Sequence, residues 1–187
     1  MVIFSRACRA FAQSKNSGFT VVELVVVIAV IAILAAITIA TFSNTQGDAR
    51  DSRRVQDMAT LQKALDTFIL RSDTIPQRAT GSSSWARSNE YPTSYIQNLV
   101  GTTSNLRSLP VDPINDTTYR YEYYVYSAGL SGCDVTRGPY YILRIVRMES
   151  IPAGQPHPQS PGFSCSGRNW QTESPGPAWV QGGYFYE

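Results

Sequence analysis

Histidine is almost missing from these 187 residues, and no proline occurs before Pro76. The one histidine, His157, sits between Pro156 and Pro158 with no nucleophile elbow or metal-ligand spacing around it, so a hydrolase triad or histidine-built metal centre lacks its parts. No phosphate-binding glycine loop, zinc pattern or paired-carboxylate constellation stands out either. An enzyme is therefore the class with least support, and no cofactor is expected. Net charge is low as well, at +2 from 16 bases and 14 acids. Arg6, Arg9 and Lys15 precede the first acid, Glu23; without those three, 13 bases face 14 acids. Net charge thus gives a nucleic-acid partner no support.

Charge is absent altogether from Leu24 to Ile37, and the only polar side chains between Leu24 and Phe42 are Thr38 and Thr41. At ~1.5 Å per residue a helix of this stretch comes close to the ~30 Å hydrocarbon core of a bilayer. The bases ahead of the run place the N-terminus in the cytoplasm and the rest of the chain across the membrane. A secretory signal peptide is the alternative reading, because Ala35-Ala36-Ile37-Thr38-Ile39-Ala40 offers a small-residue cleavage site.

The start of the run is more specific. Lys15-Asn16-Ser17-Gly18-Phe19-Thr20-Val21-Val22-Glu23-Leu24 resembles the class III signal shared by type IV pilins and type II secretion pseudopilins. The resemblance implies that a prepilin peptidase cuts between Gly18 and Phe19 on the cytoplasmic face and methylates the new N-terminus, and that the apolar helix is retained. It also implies a role for Glu23, which would neutralise the Phe19 ammonium of a neighbouring subunit during assembly. An ionisable residue in an apolar segment costs roughly 2.5–3.5 kcal/mol when central, so such residues normally have a partner. A glutamate resting among lipid headgroups without a role is the plain alternative. Many members of the family carry a helix-softening proline late in the run, and this chain has none there.

Ser43 to Gly47 ends the apolar run, and dense charge of both signs follows. Val55, Met58, Leu61, Leu65, Phe68 and Ile69 recur at three- and four-residue steps, which predicts an amphipathic helix with Arg54, Asp57, Gln62, Lys63 and Asp66 mostly off its buried stripe. Pro76 ends that helix near Arg71-Ser72-Asp73. Tyr91 to Val100 predicts one short helix. Thr118 to Tyr126, which alternates Tyr119, Tyr121, Tyr123 and Val125 against Arg120 and Glu122, and Tyr140 to Met148 predict strands joined by a long loop, with a third strand at Tyr184 to Tyr186. Ile151 to Pro177 is too proline-rich for a regular helix or a central strand.

Leu109-Pro110-Val111-Asp112-Pro113 partly resembles the approach to the first strand in major pseudopilins, with Ile114-Asn115 in place of Trp-Gly. Those relatives bind calcium nearby, which makes Asp112, Asp116 and Asp134 the hard-oxygen candidates; turn residues are their commoner role, and no metal site is predicted. Loss of Cys8 with the leader leaves Cys133 and Cys165 as one possible pair, resembling the disulfide-closed C-terminal region of type IV pilins; two unpaired thiols are the alternative. Tyrosines interleaved with arginines in both strands suit either half-buried sheet positions or single-stranded nucleic-acid stacking, and sheet positions are favoured.

The expected fold is α+β, a pilin fold with a long N-terminal helix on a small antiparallel sheet. Its parts are a leader (1–18), a membrane and filament-core helix (19–42), an amphipathic continuation (43–72) and a globular domain (73–187). The expected function is a structural subunit of a type IV pilus-like filament; a type II secretion pseudopilin and a monomeric membrane-anchored binding domain are the alternatives. Expected partners are prepilin peptidase, copies of the chain and other pilins, an inner-membrane assembly platform and, before assembly, the lipid membrane.

Overall fold

The structure, a computed structural model, describes residues 18–79, 84–173 and 176–186, with only the backbone described at 38–44. The leader bases, Cys8, Thr38 and Thr41 lie outside the described residues or side chains. Two compact units divide the chain, Met1–Phe42 and Ser43–Glu187. One helix, α1 (Val21–Ser72), has residues in both.

In the first unit, the α1 side chains from Val21 to Ile37 are all exposed. Among the described residues no helix is long and apolar enough to cross a membrane. The described apolar side chains stop at Ile37, a length of about 25 Å at ~1.5 Å per residue, against ~30 Å of hydrocarbon. The expected span also draws on residues 38–42, whose side chains are outside the described set.

In the second unit, α1 buries one stripe: Met58, Leu61, Ala64, Leu65, Phe68 and Ile69 are each at most 8% exposed. The helix ends as the sequence predicts. Asp73 turns into the left-handed region at φ 53° while its N–H donates to Ile69 O at 3.0 Å.

Among the described residues six strands follow: β1 (Ala86–Arg87), β2 (Tyr121–Tyr126), β3 (Tyr140–Ile145), β4 (Ser164–Cys165), β5 (Arg168–Asn169) and β6 (Trp179–Tyr184). The main sheet is antiparallel in the order β1-β2-β3-β6, with Tyr121 opposite Ile145 and Tyr140 opposite Tyr184; β4 and β5 form a separate hairpin. Alternation along the strands sends Tyr121, Tyr123, Tyr141, Leu143, Ile145 and Trp179 into one core with the α1 stripe. The opposite face packs Tyr126, Tyr140, Ile142 and Val180 against Trp170, Phe163 and the two cysteines.

Buried phenols on the helix side find acceptors. Tyr121 Oη donates to Asp57 at 2.8 Å, Tyr123 Oη to Pro76 O at 2.6 Å and Tyr141 Oη to Asp66 at 3.2 Å. Burial, reinforced by the Asp57 carboxylate, pushes the Tyr121 phenol far up, which keeps it a protonated donor.

Four expectations need correcting. Tyr91 to Val100 forms turns, because Pro92 and Asn98 (φ 58°) interrupt it and the Gln97 N–H donates to Gln77 O at 2.8 Å. The last strand lies at Trp179–Tyr184. Gly182 and Gly183 disguise it, although Gly182 is required, since a Cβ there would lie 2.6 Å from the Phe163 ring and 2.7 Å from Tyr141 O. Glu122 is 1% exposed, because Arg87, Arg120 and Arg144 close over its carboxylate. Arg54, expected off the stripe, is fully buried at 0%.

Candidate processing and assembly segment

Gly18, Phe19 and Thr20 precede α1 without helical structure, and Phe19 is 86% exposed. The Gly18–Phe19 bond therefore lies in open, non-helical chain next to a helix start. Among the described residues nothing lies within 4 Å of where a Cβ on Gly18 would stand.

Thr20 caps the helix. Its Oγ1 accepts from the Glu23 N–H at 3.2 Å, while the Glu23 carboxylate accepts from the Thr20 N–H at 2.9 Å and from the Thr20 hydroxyl at 2.8 Å. This reciprocal arrangement is a capping box, which satisfies two backbone donors that a helix start leaves unpaired. The first helical bond, Leu24 N–H to Thr20 O, closes at 3.2 Å. Thr20 was not among the residues singled out from the sequence, though its Thr-x-x-Glu spacing is the signal that would have found it. Glu23 thus has a local role in the unassembled chain. Its negative charge also sits at the positive end of the helix dipole, where it is favoured.

A second charged group lies in the other unit. Arg54 donates to both oxygens of Asp112 (Nε at 2.7 Å, Nη2 at 2.9 Å), to Asp51 at 2.5 Å and to Glu149 at 2.9 Å, and Arg50 adds a two-point pair with Glu149 at 2.7 and 2.5 Å. Asp51 also accepts from the Glu149 and Ser150 N–H groups and the Ser150 hydroxyl. Burial pushes Asp51 up, yet the bonds from Ser150, Glu149 and Arg54 outweigh it and leave the carboxyl below its usual range. Glu149 is likewise held low, chiefly by its bonds from Arg50 against a burial cost, with Arg54 adding to them. The cluster ties α1 to the chain at Asp112 and at Glu149–Ser150. Sequence spacing along α1 did not reveal it, because its partners are up to 99 positions away.

Each aspartate weighed for calcium has a protein partner. Asp112 holds Arg54, Asp116 accepts the Thr118 and Tyr119 N–H groups, and Asp134 accepts the Thr136 N–H and hydroxyl. Among the described residues no group of three or more histidines, cysteines or acids could hold a metal ion. His157 packs its ring 5.6 Å from Trp179. Cys133 and Cys165 are bonded to each other, with Cα atoms 4.8 Å apart, and join the loop after β2 to the β4–β5 hairpin.

Residues 13–39 match the family described as the prokaryotic N-terminal methylation motif. The chain therefore carries the class III prepilin signal of type IV pilins and pseudopilins. That motif indicates a pilin- or pseudopilin-like substrate of prepilin peptidase, and it implies assembly with other pilins. The helix followed by a small antiparallel sheet is an α+β layout consistent with a pilin. No curated protein and no solved structure matches the chain.

Proposed function

We propose that the mature chain begins at Phe19 and serves as a structural subunit of a type IV pilus-like filament, polymerised through the first part of α1. The supporting observation is the methylation motif at residues 13–39 joined to a helix whose side chains from Val21 to Ile37 are all exposed. Such an apolar surface has two resting places. Before assembly it lies in the cytoplasmic membrane as a single pass completed by residues 38–42, with the C-terminal unit outside; afterwards it packs against copies of itself. The Glu23 carboxylate, held by Thr20 within the chain, exchanges that hydrogen bonding for the Phe19 ammonium of the neighbouring subunit. An inner-membrane platform drives the exchange, and no catalytic role is proposed.

A pseudopilin of a type II secretion system is the second reading. The Leu109-Pro110-Val111-Asp112-Pro113 stretch brought it forward, yet Asp112 there is already employed in holding Arg54. The stretch is therefore accounted for by folding and does not favour one filament over the other. Shearing cells and identifying the filament subunit by mass tests the proposal. Recovery of the chain from surface filaments supports a pilus. A chain confined to the envelope whose deletion blocks protein export supports a pseudopilus, and a cleaved chain that stays monomeric supports a plain anchor.

A further inference from the structure

The sheet face turned away from α1 carries a continuous aromatic ladder. Ring centroids step from Trp85 to Tyr124 at 5.5 Å, on to Tyr126 at 4.4 Å, to Tyr140 at 4.9 Å and to Tyr184 at 5.6 Å, so the ladder crosses from one side of the sheet to the other. Tyr126 and Tyr140 are buried, while Trp85, Tyr124 and Tyr184 are half-buried.

Four arginines lie over this ladder. Arg144 sits 3.8 Å from the Trp85 centroid, Arg78 4.2 Å from Tyr124, Arg137 3.9 Å from Tyr184, and Arg168 5.6 Å from Tyr126 and 5.2 Å from Trp170. Arg144 shares the buried Glu122 with Arg87 and Arg120, and Arg168 pairs with Glu173. Arg78 and Arg137 have no ion pair among the described residues. Their recorded bonds run to the carbonyl oxygens of Ser84 (2.9 Å) and Tyr186 (3.4 Å). All four arginines are half-buried, with part of each side chain open to solvent. Rings hold them in place, so they lose little freedom when they meet a ligand.

A near-neutral chain has thus collected arginines in one stripe, which its net charge conceals. Because the tyrosine rings themselves are largely covered, any anion meets guanidinium first. A guanidinium fixed over a ring satisfies two needs at once, pairing with a phosphate through its N–H groups and offering its plane to an unstacked base. An acidic polysaccharide has no aromatic plane to use the second property. We propose that this stripe is a binding surface for single-stranded nucleic acid, with Arg78 and Arg137 as the two principal phosphate contacts and the aromatic ladder as their support.

The proposal does not depend on filament assembly and is tested on the detergent-solubilised full chain. A fluorescent 20-nucleotide single strand is titrated at several salt concentrations, with polygalacturonate and a duplex of equal charge as competitors. Binding is expected to weaken with salt, and the doubly substituted Arg78→Ala/Arg137→Ala chain should bind about tenfold more weakly. Its salt slope should fall by about 1.4, at roughly 0.7 per phosphate contact on a single strand. Arg78→Lys/Arg137→Lys should keep the slope yet lose affinity, since lysine retains charge without the planar group. Arg107→Ala, an exposed arginine outside the stripe, should leave binding unchanged, and Arg137→Ala alone serves if the double variant is unstable. The assignment is overturned by absence of binding at 50 mM salt, by polygalacturonate competing as well as the single strand, or by lysine variants that bind like the original.

Discussion

Glu23 offers a prediction in which two physical effects are separable. In the free chain its carboxylate completes a capping box with Thr20, at 2.9 and 2.8 Å. In the proposed filament it neutralises the Phe19 ammonium of the next subunit. Glu23→Ala removes both effects, Glu23→Gln keeps a capping acceptor but removes the charge, and Thr20→Ala keeps the charge but removes the cap. Loss of an N-cap costs about 0.5–2 kcal/mol, confined to the first turn. Leaving one member of a buried pair uncompensated costs about 3–5 kcal/mol, less where water reaches the site. Even ~1.4 kcal/mol is tenfold in an association constant. Sheared-filament yield is compared at equal membrane abundance, with each mature chain verified to begin at Phe19. Glu23→Ala and Glu23→Gln should both lose filaments by tenfold or more, and Thr20→Ala should lose distinctly less. Wild-type yield from Glu23→Gln with a deficit in Thr20→Ala would mean that Glu23 acts as a helix cap, and the charge-pairing account would fail.

Other outcomes follow from the second unit. Arg54→Met strands Asp112 and Asp51, whose side chains are 0% and 6% exposed, and should destabilise the fold by about 3–5 kcal/mol in urea unfolding. In the unsubstituted chain Asp51 and Glu149 are held below their usual range. Their contribution is therefore complete above the ordinary carboxylate pKa of about 4 and fades as pH falls below it, so unfolding midpoints measured downward from pH 6 should drop steeply there. Cys133→Ser/Cys165→Ser should lower stability by roughly 3–4 kcal/mol, since the bond spans a sequence separation of 32; equal midpoints with and without reductant would contradict this. Gly182→Ala should cost about 1–3 kcal/mol by overpacking against the Phe163 ring and Tyr141 O, read as a lower thermal midpoint.

Legibility in the sequence tracked the range of the interactions. The α1 stripe was readable because its period is local, and so was its end, because Asp73 and Pro76 lie beside it. The two central strands were readable from their β-branched and aromatic runs. What failed to show was settled across the fold. Glu122 and Arg54 look like surface residues until their partners arrive from distant segments, and β6 hides its pairing behind two glycines that a neighbouring ring requires. At the processing segment the residues that carry the resemblance were evident, whereas the Thr20–Glu23 cap went unread although its spacing lies in the sequence. Their mutual capping needed only the local rule for helix starts. The stripe of arginines belongs to the opposite case, since Arg78, Arg137, Arg144 and Arg168 come from four separate segments and meet only through the sheet.

The central claim is that this chain is cut as a prepilin and keeps its apolar helix, and the mature N-terminus is its most direct test. Membranes from cells producing the full chain are extracted, and the purified protein is analysed by intact mass and N-terminal sequencing. The account predicts a chain that starts at Phe19, carries one added methyl group, and still contains Leu24 to Phe42. A mature chain beginning after the apolar run, near Ala40, or one that retains Met1 in cells with an active prepilin peptidase, would contradict it.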